Sequence, residues 1–116
     1  MVNSVHIVGR LGASPEIKET TTGKKVARFN VATEYGYGDK ATTEWFSVLA
    51  WEKLAGICEN FLSKGKLVYV EGRMKTRSYD DKDGNKKYVT ELIANNMRML
   101  DKREEPAPVE DDKSPF

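Results

Sequence analysis

Only one stretch of this 116-residue chain can make an amphipathic helix, and that restriction decides most of what it can fold into. Leu54, Ile57, Cys58, Phe61 and Leu62 recur at spacings of three and four, the stripe that packs a helix on a core. They predict a helix over residues 52–63, followed by Lys64 and Gly65 as a terminal cation and a left-handed stop. Cys58 lies within the stripe and reads as a core residue, not a reactive thiol. Everything else apolar alternates, or comes in short runs between turn residues, as strands do.

Five strands are expected. The first covers residues 3–11, with Val5, Ile7 and Val8 as its apolar members. The second covers 25–33, with Ala27, Phe29 and Val31 on one face and Val26, Arg28 and Asn30 on the other. The third, 43–51, sets Phe46, Val48 and Ala50 against Trp45, Ser47, Leu49 and Trp51. A long fourth strand, 66–79, has Val68, Val70 and Met74 inward. A polar turn at 80–85 leads into a fifth strand, 86–100, so that the last two make a long hairpin. The order β-β-β-α-β-β is that of the OB fold, a small Greek-key barrel whose face and loops hold oligonucleotides or oligosaccharides. The chain is thus read as all-β with one helix, a domain over residues 1–102.

Residues 103–116 are different. Aliphatic and aromatic content collapses after Asp101, and Glu104-Glu105-Pro106-Ala107-Pro108 reads as a disordered, extended linker. Residues 1–100 hold 16 Lys/Arg against 12 Asp/Glu, whereas residues 101–116 hold 3 against 6. A mildly basic body suits a polyanion, and an acidic tail suits basic protein surfaces. The tail ends in Asp111-Asp112-Lys113-Ser114-Pro115-Phe116, with an aromatic and a free carboxylate at the tip. Such a segment cannot fold alone, and a partner's apolar pocket ringed by Lys or Arg would cover it.

The faces turned away from the core carry the chemistry. Trp45 and Trp51 share parity on the third strand, and Arg73, Lys75, Arg77 and Tyr79 share it on the fourth. Tyr35 and Tyr37 lie in the glycine-bearing loop after the second strand. Aromatics interleaved with cations suit a single nucleic-acid strand: bases stack on the rings and phosphates meet the cations. The tryptophans have a second reading, packed beneath a loop or within an oligomer interface.

Enzyme patterns fail. Gly36-Tyr37-Gly38 leads into a strand without a βαβ unit, so it is no dinucleotide site. Asp81, Asp83 and Asn85 start like a calcium loop, but Lys86 and Leu92 stand where Gly and Glu are required. His6, the sole histidine, lies in an apolar strand and is expected to be packed or at an interface. No cofactor or metal is implied. The absence of an apolar span or secretory leader points to the cytoplasm.

Together these residues resemble the bacterial-type single-stranded-DNA-binding proteins, an OB-fold family with phage-encoded members. The similarity is carried by Val8-Gly9-Arg10-Leu11-Gly12, Pro15-Glu16, Thr43-Glu44-Trp45, Lys53-Leu54-Ala55, Val68-Tyr69-Val70-Glu71-Gly72, Thr76-Arg77 and the acidic Pro-Phe end. The resemblance implies base stacking on Tyr37 (or Tyr35), Trp45, Trp51 and Tyr79. It implies phosphate contacts from Lys18, Lys40, Lys53, Lys64, Lys75, Arg77 and Lys87. Strand parity alone adds Arg10, Arg28, Lys66 and Arg73. The family is typically a homotetramer paired partly through its first strand, and its tip recruits replication, recombination and repair proteins. Asp111, Asp112, Pro115 and Phe116 match that tip.

Departures are also visible. Ser47 and Ser78 stand where cations often occur, tyrosines replace tryptophan at two stacking positions, and Lys113 and Ser114 alter the tip. The linker over 102–110 and the loop between the second and third strands are short. Two other functions fit the same barrel: a protein adaptor with incidental nucleic-acid binding, or an RNA binder, since stacking barely separates RNA from DNA.

Overall fold

The computed structural model describes residues 1–101. Strands β1 (Val5–Leu11), β2 (Glu16–Glu19), β3 (Lys25–Tyr35) and β4 (Thr42–Trp51) precede helix α1 (Lys53–Phe61), and β5 (Leu67–Asp80) and β6 (Lys86–Met99) follow it. One sheet runs β1-β5-β6-β4-β3-β2, and an added β1–β3 pairing bends it into a barrel. The five strands expected from the alternation are the five that close the ring. All neighbours are antiparallel except β4 and β6, which run parallel at Val48↔Leu92 and Leu49↔Ile93. The mostly-β architecture with one helix is the OB-type fold that the element order predicts.

β2 was not expected. It pairs with β3 from Glu16↔Arg28 to Glu19↔Lys25 and widens the outer face without joining the ring. Its sequence, Glu-Ile-Lys-Glu, offers one apolar side chain, so backbone pairing carries it more than burial does.

The core follows from the strand period of two. Ile7 and Leu11, Ala27, Phe29 and Val31, Val48 and Ala50, Val68 and Val70, and Leu92 and Ala94 all point inward. Val31, Val48, Val68, Val70 and Leu92 are fully buried, each stabilising the fold by about 1.5–3 kcal/mol relative to exposure. Two glycines permit the closest strand crossings. A Cβ on Gly9 would collide with the carbonyl of Ala32, and one on Gly72, beside the Glu71/Gly72 bulge, with that of Ile93.

Helix α1 packs on β3, β4 and β6 and buries Ala55 and Cys58, with Leu62 just beyond its end. Phe61 departs from the predicted stripe. The helix ends there, and its ring is exposed. Gly65 does adopt a left-handed φ of 88°, but in the turn toward β5, where its N–H meets the Leu11 carbonyl at 2.9 Å.

Beyond the core, β5 and β6 continue as a two-stranded arm, exposed at nearly every residue from Lys75 to Asp80 and from Lys86 to Thr90. Its turn is closed by Asp81, whose Oδ1 accepts from the N–H groups of Asp83 and Asn85 at 2.9 and 2.8 Å. The expected tail, with its linker and the tip residues Asp111, Asp112, Pro115 and Phe116, lies outside the described residues.

Candidate nucleic-acid interface

The outward residues of five strands converge on one groove of about 430 Å³. Lys18 comes from β2, Val26 and Arg28 from β3, Leu49 and Trp51 from β4, Lys75 and Arg77 from β5, and Glu91 and Ile93 from β6. The register explains the convergence: Trp51 faces Val26, Val26 faces Lys18, and Leu49 lies beside both Arg28 and Ile93. Apolar side chains and four cations line the groove together with two acids, Glu91 and Glu16 of β2. A smaller depression continues it toward the arm and shares Arg28, Arg77 and Glu91, adding Ser47, Val89 and Tyr79. A third, formed by Tyr35, Tyr37 and Lys40, opens in the loop after β3.

Both tryptophans are exposed, Trp45 by 59% and Trp51 by 39%, so neither is taken up by the core. They share a face of β4, but six residues of strand separate them by about 20 Å. Trp51 therefore lines the groove, whereas Trp45 stands nearer the start of β4, beside Gly12. Tyr35, Tyr37 and Tyr79 are also open to solvent.

The groove holds one feature that strand parity does not reveal. Glu91 is almost completely buried beneath it and accepts from two arginines: Arg77 Nε reaches Oε1 at 3.0 Å, and Arg28 Nη2 reaches Oε2 at 3.3 Å. Lys75 is its register partner, yet the Arg77 contact is diagonal and the Arg28 contact reaches across β4. A lone acid between Thr90 and Leu92 is visible in the sequence as an outward position. Nothing local identifies its partner on β3.

The remaining expected cations do not join this groove. Arg10 donates to the Gly65 carbonyl at 2.9 Å and pairs with Asp101 at 3.3 Å, near Lys64 and Lys66 on either side of Gly65. Asp101 in turn accepts the Leu67 N–H at 2.8 Å, fastening the end of the barrel. Lys53 opens α1, and Lys87 stands opposite Tyr79 on the arm, 3.9 Å from Asp81. Arg73 is exposed on β5, opposite Ile93.

His6 is exposed, not packed. Its Nδ1 lies 2.9 Å from the Tyr69 hydroxyl, which donates to Glu71 Oε1 at 2.9 Å, and Ser4 Oγ lies 3.0 Å from Nε2. Donation to Glu71 raises the Tyr69 pKa above its ordinary value. Beside this network β1 is paired with β5 from Val5 to Arg10, but with β3 only at Arg10 and Leu11, which leaves an open edge over residues 5–9. Val8 is half exposed there. Among the described residues, no group of His, Cys, Asp and Glu is arranged to hold a metal ion. No described helix is long and apolar enough to cross a membrane.

An OB-type barrel with a groove of apolar side chains and cations and free aromatic rings is the build of a nucleic-acid-binding module. The profile of the Single-strand binding protein family matches residues 2–100, and the chain belongs to that family. Single-stranded DNA-binding protein 1 of Chlorobaculum tepidum is 47% identical over 105 residues, covering 85% of this chain and 65% of the relative. Single-stranded DNA-binding proteins from two Neisseria meningitidis serogroups are each 39% identical over 109 residues, covering 90% of this chain and 63% of theirs. This chain therefore spans under two thirds of the length of these relatives. Among solved structures, the Plasmodium falciparum SSB in complex with ssDNA superposes with a TM-score of 0.80 at 31% identity, covering 87% of this chain and 96% of that one. The family is one of binding proteins rather than enzymes.

Proposed function

We propose that this protein binds single-stranded DNA with little sequence preference, stacking bases on Trp51, Trp45, Tyr79, Tyr35 and Tyr37. Lys18, Arg28, Lys75 and Arg77 neutralise phosphates along the groove, and Lys40, Lys53, Lys64, Lys66, Lys87, Arg10 and Arg73 supply the outer contacts. The observation that carries this reading is the exposure of both tryptophans on a face that also bears four groove cations. Burial of both beneath this chain's own loops would have favoured an adaptor. Family membership and the likeness to an SSB–ssDNA complex support DNA as the ligand.

In this reading the protein coats unwound DNA during replication, recombination and repair in the cytoplasm, and Asp111, Asp112, Pro115 and Phe116 recruit partner proteins. It works as a homo-oligomer, a tetramer by analogy with its family. The open edge of β1, with Val8 exposed on it, supports pairing between copies.

Titration of the intrinsic tryptophan fluorescence with oligo-dT tests the central claim. Quenching by the single strand, absent with duplex and weakened by salt, is expected. No quenching and no binding would overturn it and return the adaptor reading to first place.

A further inference from the structure

We infer that Glu91 is a positioning residue, a buried clamp that fixes Arg28 and Arg77 to grip the phosphate between two stacked bases. This rests on the groove being the single-strand site.

The three side chains come from three strands, β3, β5 and β6, and are layered. The Glu91 side chain is 4% exposed, whereas those of Arg28 and Arg77 are 47% and 46% exposed. The carboxylate therefore lies underneath and the guanidiniums on top. Arg77 spends its Nε on Glu91 and Arg28 one Nη, and among the described residues these are their only side-chain hydrogen bonds. The other guanidinium N–H groups of each have no side-chain partner among the described residues, and a guanidinium anchored at one nitrogen can offer the rest to a phosphate.

Position along the groove sharpens the role. The triad is the shared wall of two depressions, one holding Trp51 and the other Tyr79. Bases seated on those two rings would be joined by backbone passing over the arginines.

A buried acid works against binding a polyanion, so long-range electrostatics and the clamp predict opposite signs for its removal. Glu91→Gln adds one unit of positive charge to the groove. If charge alone mattered, oligo-dT would bind more tightly. The clamp predicts weaker binding, roughly fivefold or more, and a log K against log salt slope shallower by about 0.7 for each phosphate no longer neutralised. Unchanged or tighter binding by a folded Glu91→Gln protein would overturn the clamp and leave Glu91 a mere counter-ion.

A second measurement uses the native chain and does not depend on the variant folding. The Arg77 Nε–H should be protected from solvent exchange when free and should stay protected with oligo-dT bound. Loss of protection on binding would overturn the clamp, because the pair would then be a lock that DNA breaks. Failure of the native chain to bind oligo-dT at all would overturn the single-strand reading itself. Native binding with no effect of Glu91→Gln would sink only the clamp.

Discussion

Trp45 occupies the space that a side chain at Gly12 would need: a Cβ built on Gly12 would lie 2.6 Å from its Cζ3 and 2.8 Å from its Cη2. The obstacle is the far end of an exposed ring, which can swing aside. Gly12→Ala is therefore expected to leave stability within about 0.5 kcal/mol, while displacing Trp45 and weakening oligo-dT binding. At Gly72 the obstacle is backbone, the Ile93 carbonyl, and Gly72→Ala should cost about 3 kcal/mol or more. Urea unfolding of both variants checks the contrast. Equal destabilisation would show that Trp45 is fixed.

Trp45→Ala and Trp51→Ala should each weaken single-strand binding by about 1–3 kcal/mol, with circular dichroism unchanged. Because the rings stand six residues apart along β4, Trp51 in the groove and Trp45 beside Gly12, the losses should add in the double variant. Fluorescence anisotropy of a labelled oligo-dT measures all three. Full affinity in both single variants would remove β4 from the interface.

How much of this was legible in the sequence depends on the range of the interactions involved. Strand alternation exposes the parity of Trp45, Trp51, Arg77 and Tyr79, because each residue's face is set by its immediate neighbours. The Glu91–Arg28 contact spans 63 positions, and no local pattern encodes it. β2 has no apolar alternation to mark it, because its residues are mostly charged and its pairing partner is backbone. Phe61 fits the helical stripe, yet the stripe gives the face of a helix and not the residue at which the core ends.

Cys58 gives a readout of the whole fold. Burial pushes its thiol up to about 12 from an ordinary 9.0, so the folded form holds its proton where the unfolded form has lost it. The contribution is complete below pH 9 and is lost as pH rises toward 12, at about 1.4 kcal/mol per pH unit. Thiol labelling at neutral pH should therefore be slow and track global unfolding. Rapid labelling of the native protein would show that α1 opens locally.

Deletion of residues 111–116 should spare oligo-dT binding, or tighten it slightly, because two Asp and one Lys are lost and the chain gains one net positive charge. Capture of a replication or repair protein on DNA coated by the truncated chain should disappear. Normal capture would end the recruitment role of the tip.

Glu52 is the one non-glycine among the described residues with a positive φ, 53° with ψ at −110°, and it joins Trp51 in the groove to Lys53 on the helix. The geometry is held from both sides: its N–H meets the Lys25 carbonyl at 2.7 Å, and its own carbonyl accepts from Gly56 at 3.0 Å. Its side chain is exposed and makes no hydrogen bond or ion pair among the described residues. Strain of this kind costs about 1–3 kcal/mol, and glycine adopts the same angles freely at an entropic cost of about 0.5–1 kcal/mol. Glu52→Gly should thus raise stability by about 1 kcal/mol in urea unfolding. It also removes a negative charge beside the groove, so oligo-dT affinity should rise or hold. A less stable variant would mean that the Glu52 side chain supports the fold. A stable variant with weakened binding would mean that the stiff linkage itself sets the position of Trp51.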